Sequence, residues 1–270
     1  MSRTLTVGIA GLGAIGLHLA RALDQGVEGL ALHSVAARDH AKAAANLADF
    51  RTKPAIVGLA DLAEADIVVE AAPASVFETV ATAAIARGRI FVPSSVGALL
   101  PRMHLVEEAR KTGARIVVPT GALLGLDAVR AAAEGEVSSI TIETRKPPRG
   151  LVGAPYLEQH GIDVLAVKDE KKLVFKGNAF DAAQGFPANV NVAAALALAG
   201  IGPQRTTIEI WADPHVTRNT HTIRVEAAAA RLTMMIENVP SEENPRTGKI
   251  TPLSILACLR GLTSTLKVGS

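Results

Sequence analysis

The chain has 270 residues, with 28 Lys and Arg against 26 Asp and Glu and a formal net charge of +2. These charges are interspersed, so there is no electrostatic footprint for nucleic acid or an anionic membrane, and a small-molecule partner is expected. Hydrophobic residues make up 49% but aromatics only 3%, which leaves a core of Ala, Val, Leu and Ile, the mixture that lines helix-covered parallel sheets.

At this length two modest domains are expected, since one domain usually spans ~100–200 residues. The single Cys258 excludes an internal disulfide, and its neighbours Leu253, Ile255, Leu256 and Leu259 have helical spacing, so it reads as a packing thiol. No apolar stretch reaches the ~18–20 residues of a membrane helix, and the amino terminus runs straight into strand and glycine loop. A cytoplasmic protein is expected.

Residues 5–10 form a short apolar run that ends at glycines, and Ile15, Leu17, Leu19, Ala20 and Leu23 continue as a helix to Gly26. Strands follow at 30–36, 55–57, 66–71, 89–92 and 115–118, separated by helices at 40–50, 76–87 and 103–111. Alternation of this kind implies parallel pairing with right-handed crossovers, and six strands fit a doubly wound sheet. Beyond Gly121 the texture changes. Strands at 137–144, 206–212, 221–226 and 232–237 alternate in polarity, as antiparallel strands with one exposed face do. Among them lie a Pro- and Gly-rich basic loop at 145–155 and an apolar helix at 191–199. The expected fold class is α/β. It comprises an N-terminal Rossmann sheet over 1–120, a second α+β domain with a largely antiparallel sheet over 121–250, and a helix in 251–270. That helix opens on Thr251 and Pro252 and is expected to dock back on the first domain.

Gly11-Leu12-Gly13-Ala14-Ile15-Gly16 follows the first strand and opens the first helix. Turns without side chains at Gly11 and Gly13 let backbone amides and the positive helix end approach a pyrophosphate, while Gly16 permits close helix–strand packing. Gly11, Gly13, Ala14, Ile15 and Gly16 are therefore candidate cofactor-binding residues. The second strand ends Val35-Ala36-Ala37-Arg38-Asp39, so the acid that would grip the ribose of NAD is displaced. Ala37 leaves room and Arg38 offers a guanidinium to a 2′-phosphate, so NAD or NADP is expected. The competing reading has Arg38 solvated and Asp39 capping a helix. Ala71-Ala72-Pro73 and Ser94-Ser95-Val96 end the fourth and fifth strands at the carboxyl edge of the sheet. Small residues there, Ala72 among them, let the cofactor's second half pass close by, with ordinary turn chemistry as the alternative.

Several segments together resemble the L-aspartate dehydrogenase family over nearly the whole chain. They are Pro119-Thr120-Gly121-Ala122, Thr144-Arg145-Lys146-Pro147-Pro148, Phe186-Pro187-Ala188-Asn189-Val190-Asn191, Ala212-Asp213-Pro214, Asn219-Thr220-His221-Thr222-Ile223 and Glu237-Asn238-Val239-Pro240-Ser241. The resemblance implies NAD(P)-dependent oxidative deamination of L-aspartate to iminoaspartate, and thence oxaloacetate and ammonia. That reaction is reversible and opens pyridine nucleotide biosynthesis. The family's catalytic histidine maps onto His221, and its NAD-contacting positions onto Ala122 and Asn189. A homodimer is implied, with the second-domain sheet as its interface.

The residues agree with that chemistry. The α-carbon loses hydride and the amine loses protons, which calls for a base that titrates near working pH, and histidine is one without a large shift. His221 follows Asn219 by two residues, a spacing that puts both on one face of a strand, where Asn219 can orient substrate. The alternative for His221 is a sheet histidine bonded to a neighbour. The other six histidines have no partner motif. Arg145 and Lys146 are candidates for the substrate carboxylates, against a solvated basic turn. Asn189 reads as a donor or acceptor for the nicotinamide carboxamide or as a plain helix cap, with Asn191 its neighbouring rival. No metal site is expected. Two other functions stay open: a dehydrogenase of another small amino or oxo acid, since fold does not fix substrate, and a noncatalytic dinucleotide sensor.

Overall fold

The computed structural model describes residues 3–187, 190–244 and 247–269. They divide into two compact units, Met1–Gly121 with Thr251–Ser270, and Ala122–Ile250.

The first unit alternates strand and helix: β1 (Leu5–Ala10), α1 (Ala14–Gln25), β2 (Leu30–Ala36), α2 (His40–Asn46), β3 (Ala55–Ile56), β4 (Ile67–Glu70), α3 (Phe77–Ala86), β5 (Ile90–Pro93), α4 (His104–Thr112) and β6 (Arg115–Ile116). All strand pairs are parallel, in the order β3-β2-β1-β4-β5-β6, the doubly wound order with its reversal between β1 and β4. Val7, Ile9, Ile67, Val69 and Val92 supply a dry aliphatic core beside Leu19 and Leu23 of α1, each such side chain contributing roughly 1.5–3 kcal/mol by leaving water. The same core takes in Ile255 and Leu259, both fully buried. They belong to a helix, Ile250–Thr263, that arrives from far along the sequence. Cys258 packs at the edge of this cluster, and burial pushes its thiol up to about 11.

The second unit holds α5 (Leu126–Ala133), β7 (Val137–Lys146), α6 (Pro155–Gln159), β8 (Lys172–Gly177), α7 (Ala179–Gly185), α8 (Asn191–Ala199), β9 (Thr206–Ala212), β10 (Thr220–Ala227) and β11 (Arg231–Glu237); the helix Ile250–Thr263 is α9. Its sheet runs β11-β10-β7-β9-β8. Three of the four pairings are antiparallel, and the central pair β7–β9 is parallel, so the sheet is mixed. Strand β8 was absent from the sequence expectation because a short edge strand with lysines near both ends lacks a clean alternation. One face of the sheet is apolar and dry, built on Ile140, Ile142, Ile208, Ile210, Ile223 and Val225, and helices α7 and α8 lie against β9. The opposite face carries Thr141, Glu143, Arg145, Glu209, Trp211, Thr222 and Arg224.

Candidate active site

The glycine loop is shaped by contacts that exclude side chains. Gly11 has φ +91°, and a Cβ there would meet the carbonyl oxygen of Ala71 at 2.4 Å. At Gly16 it would meet the carbonyl of Gly11 at 1.8 Å, whereas at Gly13 it would meet nothing within 4 Å. The loop is thus wedged between β4 and α1 while its middle glycine opens on free space at the start of the helix. No side chain caps that start, and no acidic residue lies in the first turn, so the amides of Ala14 and Ile15 stand at a bare positive helix end. These residues fit a dinucleotide pyrophosphate.

The rim of the cradle is fixed too. The Gly11 amide donates to the carbonyl of Ala36 at 2.7 Å, tying the loop to the end of β2. Just beyond, Arg38 is exposed, while the Asp39 side chain accepts from the Lys42 amide at 2.9 Å and caps α2. Asp39 is therefore engaged as a cap, which leaves Arg38 as the charged residue at this strand end. On the other side of the reversal, Ala72 lies against Gly11, its Cα 3.0 Å from where a Gly11 Cβ would stand. Its amide donates to Glu70 Oε1 at 3.0 Å, so it borders the cradle by shape and not as a free donor.

In the second unit the register sets His221 opposite Thr144 and Ile223 opposite Ile142. Period-two alternation then puts Thr144, Lys146 and His221 on the dry face. All three are buried. Thr144 Oγ1 and His221 Nδ1 are 2.9 Å apart, a hydrogen bond that fixes the imidazole. Burial first, and the charge of Lys146 second, push the His221 pKa down from 6.5 to about 3, so the ring is neutral near pH 7 and, contrary to the expectation of an unshifted histidine, does not titrate near working pH. Asn219 lies one residue before β10, and its carbonyl accepts from the Asn238 amide at 2.9 Å. The carbonyl of Ala122 accepts from Asn238 Nδ2 at 3.0 Å. Asn238 thereby joins two candidate segments, and its buried Oδ1 has no partner among the described residues.

Arg145 does not join this group. It lies on the opposite face of the sheet, its Nε 2.5 Å from Glu143 Oε1 and its guanidinium 3.9 Å from Asp213. Glu143 is the hub of that face. Burial raises its pKa, but the bond and charge of Arg145, with Lys171 and Arg224, hold it below the usual carboxylate value. Strand β7 runs through both Arg145 and Lys146, the two candidates for the substrate carboxylates, and sends them to opposite faces. Asn189 lies outside the described residues, and Asn191 is exposed as the first residue of α8. Among the described residues, no three His, Cys, Asp or Glu side chains gather as a metal site, and no helix is long and apolar enough to cross a membrane. Sequence reasoning missed Thr144 as the partner of His221, Asn238 as a clamp, and Glu70 as a buried carboxylate.

A doubly wound sheet with this cradle, followed by a mixed-sheet unit, defines a two-domain nicotinamide-dinucleotide oxidoreductase. Comparison with known proteins narrows the class. A family profile described as aspartate dehydrogenase, C-terminal, matches residues 127–262, and one described as homoserine dehydrogenase, NAD binding domain, matches 11–119. An L-aspartate dehydrogenase of Bradyrhizobium diazoefficiens is 54% identical over 270 residues, covering 100% of this chain and 95% of the relative. One from Methanocella arvoryzae is 43% identical over 98% of this chain and 99% of its own length. The crystal structure of aspartate dehydrogenase from Thermotoga maritima superposes with a TM-score of 0.72 at 26% identity, covering 98% of this chain and 99% of that one. The chain belongs to the L-aspartate dehydrogenase family.

Proposed function

We propose that the protein is an NAD(P)-dependent L-aspartate dehydrogenase, with the dinucleotide on the first unit and aspartate on the dry face of the second. The observation that carries the site is the neutral, buried His221, bonded to Thr144 and close enough to Lys146 to feel its charge. Bound NAD or NADP supplies the acceptor for the hydride of the α-carbon. Lys146 anchors a substrate carboxylate through a charge-assisted bond. Asn219, held through its carbonyl by Asn238, orients the substrate, and Ala122 and Asn189 serve the cofactor. With Nδ1–H donating to Thr144, His221 keeps Nε2 as an acceptor. It takes the proton that the amine, or the water attacking the imine, must lose, and returns one as ammonia leaves. A carboxylate on Lys146 also cancels the charge that helps hold His221 down, so substrate binding itself strengthens the base.

The reading extends to pyridine nucleotide biosynthesis in the cytoplasm, with iminoaspartate as the product that is passed on. It includes a homodimer formed through the open face of the mixed sheet, where Met235 is 60% exposed and Glu143 gathers cations; a monomer in sedimentation at micromolar concentration would remove that part. The functional test is absorbance at the reduced-nicotinamide band with L-aspartate and NAD or NADP in separate cuvettes at alkaline pH. Signal with aspartate but not with glutamate, alanine or homoserine is expected, and His221→Ala should lower kcat by about 100-fold or more with cofactor binding intact. Turnover of another acid in place of aspartate, or cofactor binding without any turnover, would refute the assignment.

A further inference from the structure

Glu70 is the last residue of β4, fully buried, level with Ala10 of β1 and Pro93 of β5. It stands at the reversal of strand order, where dinucleotides cross the carboxyl edge of such sheets. Its carboxylate receives three donors: the Ala72 amide at 3.0 Å and Ser95 Oγ at 3.0 Å on Oε1, and the Ser95 amide at 2.9 Å on Oε2. Its own carbonyl takes the Ser94 amide at 2.8 Å. Among the described residues no cation forms an ion pair with it. A buried carboxylate held only by neutral donors is an expensive way to join two turns. What it secures is the path of the backbone at 71–73 and 94–95, the turns that border the second half of the crevice. Burial raises the Glu70 pKa, against the pull of the donors from Ser95, Ala72 and Ser94.

We propose that Glu70 is a positioning residue for the nicotinamide half of the cofactor, holding the two turns after β4 and β5 in the shape that receives it. The first half of the sheet, with the glycine loop and Arg38, serves the adenosine and pyrophosphate. The second half has no glycine loop, and Glu70 takes over the task of fixing its edge. The inference rests on the dinucleotide-binding fold and not on aspartate as substrate, so its failure and that of the substrate assignment are distinguishable.

The variant Glu70→Gln keeps size and shape but replaces one acceptor by an amide NH2. Both carboxylate oxygens receive a backbone N–H, so either orientation of the amide sets donor against donor and releases one turn. Kd is read by NADH fluorescence and, by competition, for ADP-ribose, which lacks the nicotinamide. The expected result is NADH binding weaker by about tenfold or more, the scale of one unmet buried hydrogen bond, with ADP-ribose within about twofold of wild type. Ser95→Ala, which keeps the Ser95 amide bond but removes the hydroxyl's 3.0 Å bond to Glu70 and its 3.5 Å contact with the Ala72 carbonyl, should show the same selectivity at smaller size, and it decides the matter if Glu70→Gln does not fold. Unchanged NADH binding, or equal losses for both ligands, would overturn the proposal and leave Glu70 a general strut of the sheet.

Discussion

Replacing Thr144 by Val tests whether the fixed imidazole is the working part of the second unit. The two side chains have nearly the same shape, so the change removes one hydrogen bond and little packing. That bond, 2.9 Å long, is the one side-chain hydrogen bond of His221 among the described residues, in a buried setting. A buried nitrogen left without its partner costs about 1–3 kcal/mol, which at 1.4 kcal/mol per factor of ten is roughly 5- to 150-fold in the population of correctly held rings. The expected loss in kcat is thus about 10- to 100-fold, below the roughly 100- to 10,000-fold that a general acid–base group supplies in full. Steady-state absorbance should show this loss with the KM for aspartate and the Kd for NADH little changed. A kcat within about twofold of wild type, in a protein as stable as the parent, would refute the orienting role and weaken the case for His221 itself.

Lys146→Met should raise the KM for aspartate by about 10- to 150-fold, the value of a charge-assisted bond to a carboxylate. It should also let the His221 pKa climb from about 3 while staying below 6.5, because burial, the larger cause, remains. A base must be unprotonated to act, so the acid limb of the kcat/KM profile moves to higher pH; an unmoved limb with unchanged KM would exclude Lys146. If Arg38 holds a 2′-phosphate, Arg38→Ala weakens NADPH binding far more than NADH binding in fluorescence titration, and equal losses would rule that role out.

The cradle was legible because everything it needs is local: a strand, glycines at fixed spacing and a helix follow one another within residues 5–25. The doubly wound order followed from the same alternation carried through six strands. The second unit was read less fully. The expected strand over 137–144 stopped two residues early, so Arg145 and Lys146 read as the start of a basic loop, whereas they lie on opposite faces of a strand that reaches Lys146. The partnership of Thr144 with His221 spans 77 positions and leaves no trace in spacing, and the clamp from Asn238 to Ala122 spans 116. Glu70 looks like the polar end of an apolar strand; that it is buried follows only from how the turns at 71–73 and 94–95 fold over it.

The helix α9 completes the core of the first unit with Ile255 and Leu259, although the whole second unit is encoded between it and β6. The nucleotide-binding unit is therefore discontinuous in the gene product, and on the ribosome its sheet emerges well before the residues that close it. Until Leu259 has left the exit tunnel, Val7, Leu19 and Leu23 lack part of their apolar cover, so the two units mature in an interleaved order, not one after the other. A fragment cut at residue 121 should be correspondingly prone to association. Permuting the chain so that α9 precedes β1 would give a nucleotide-binding unit encoded in one piece.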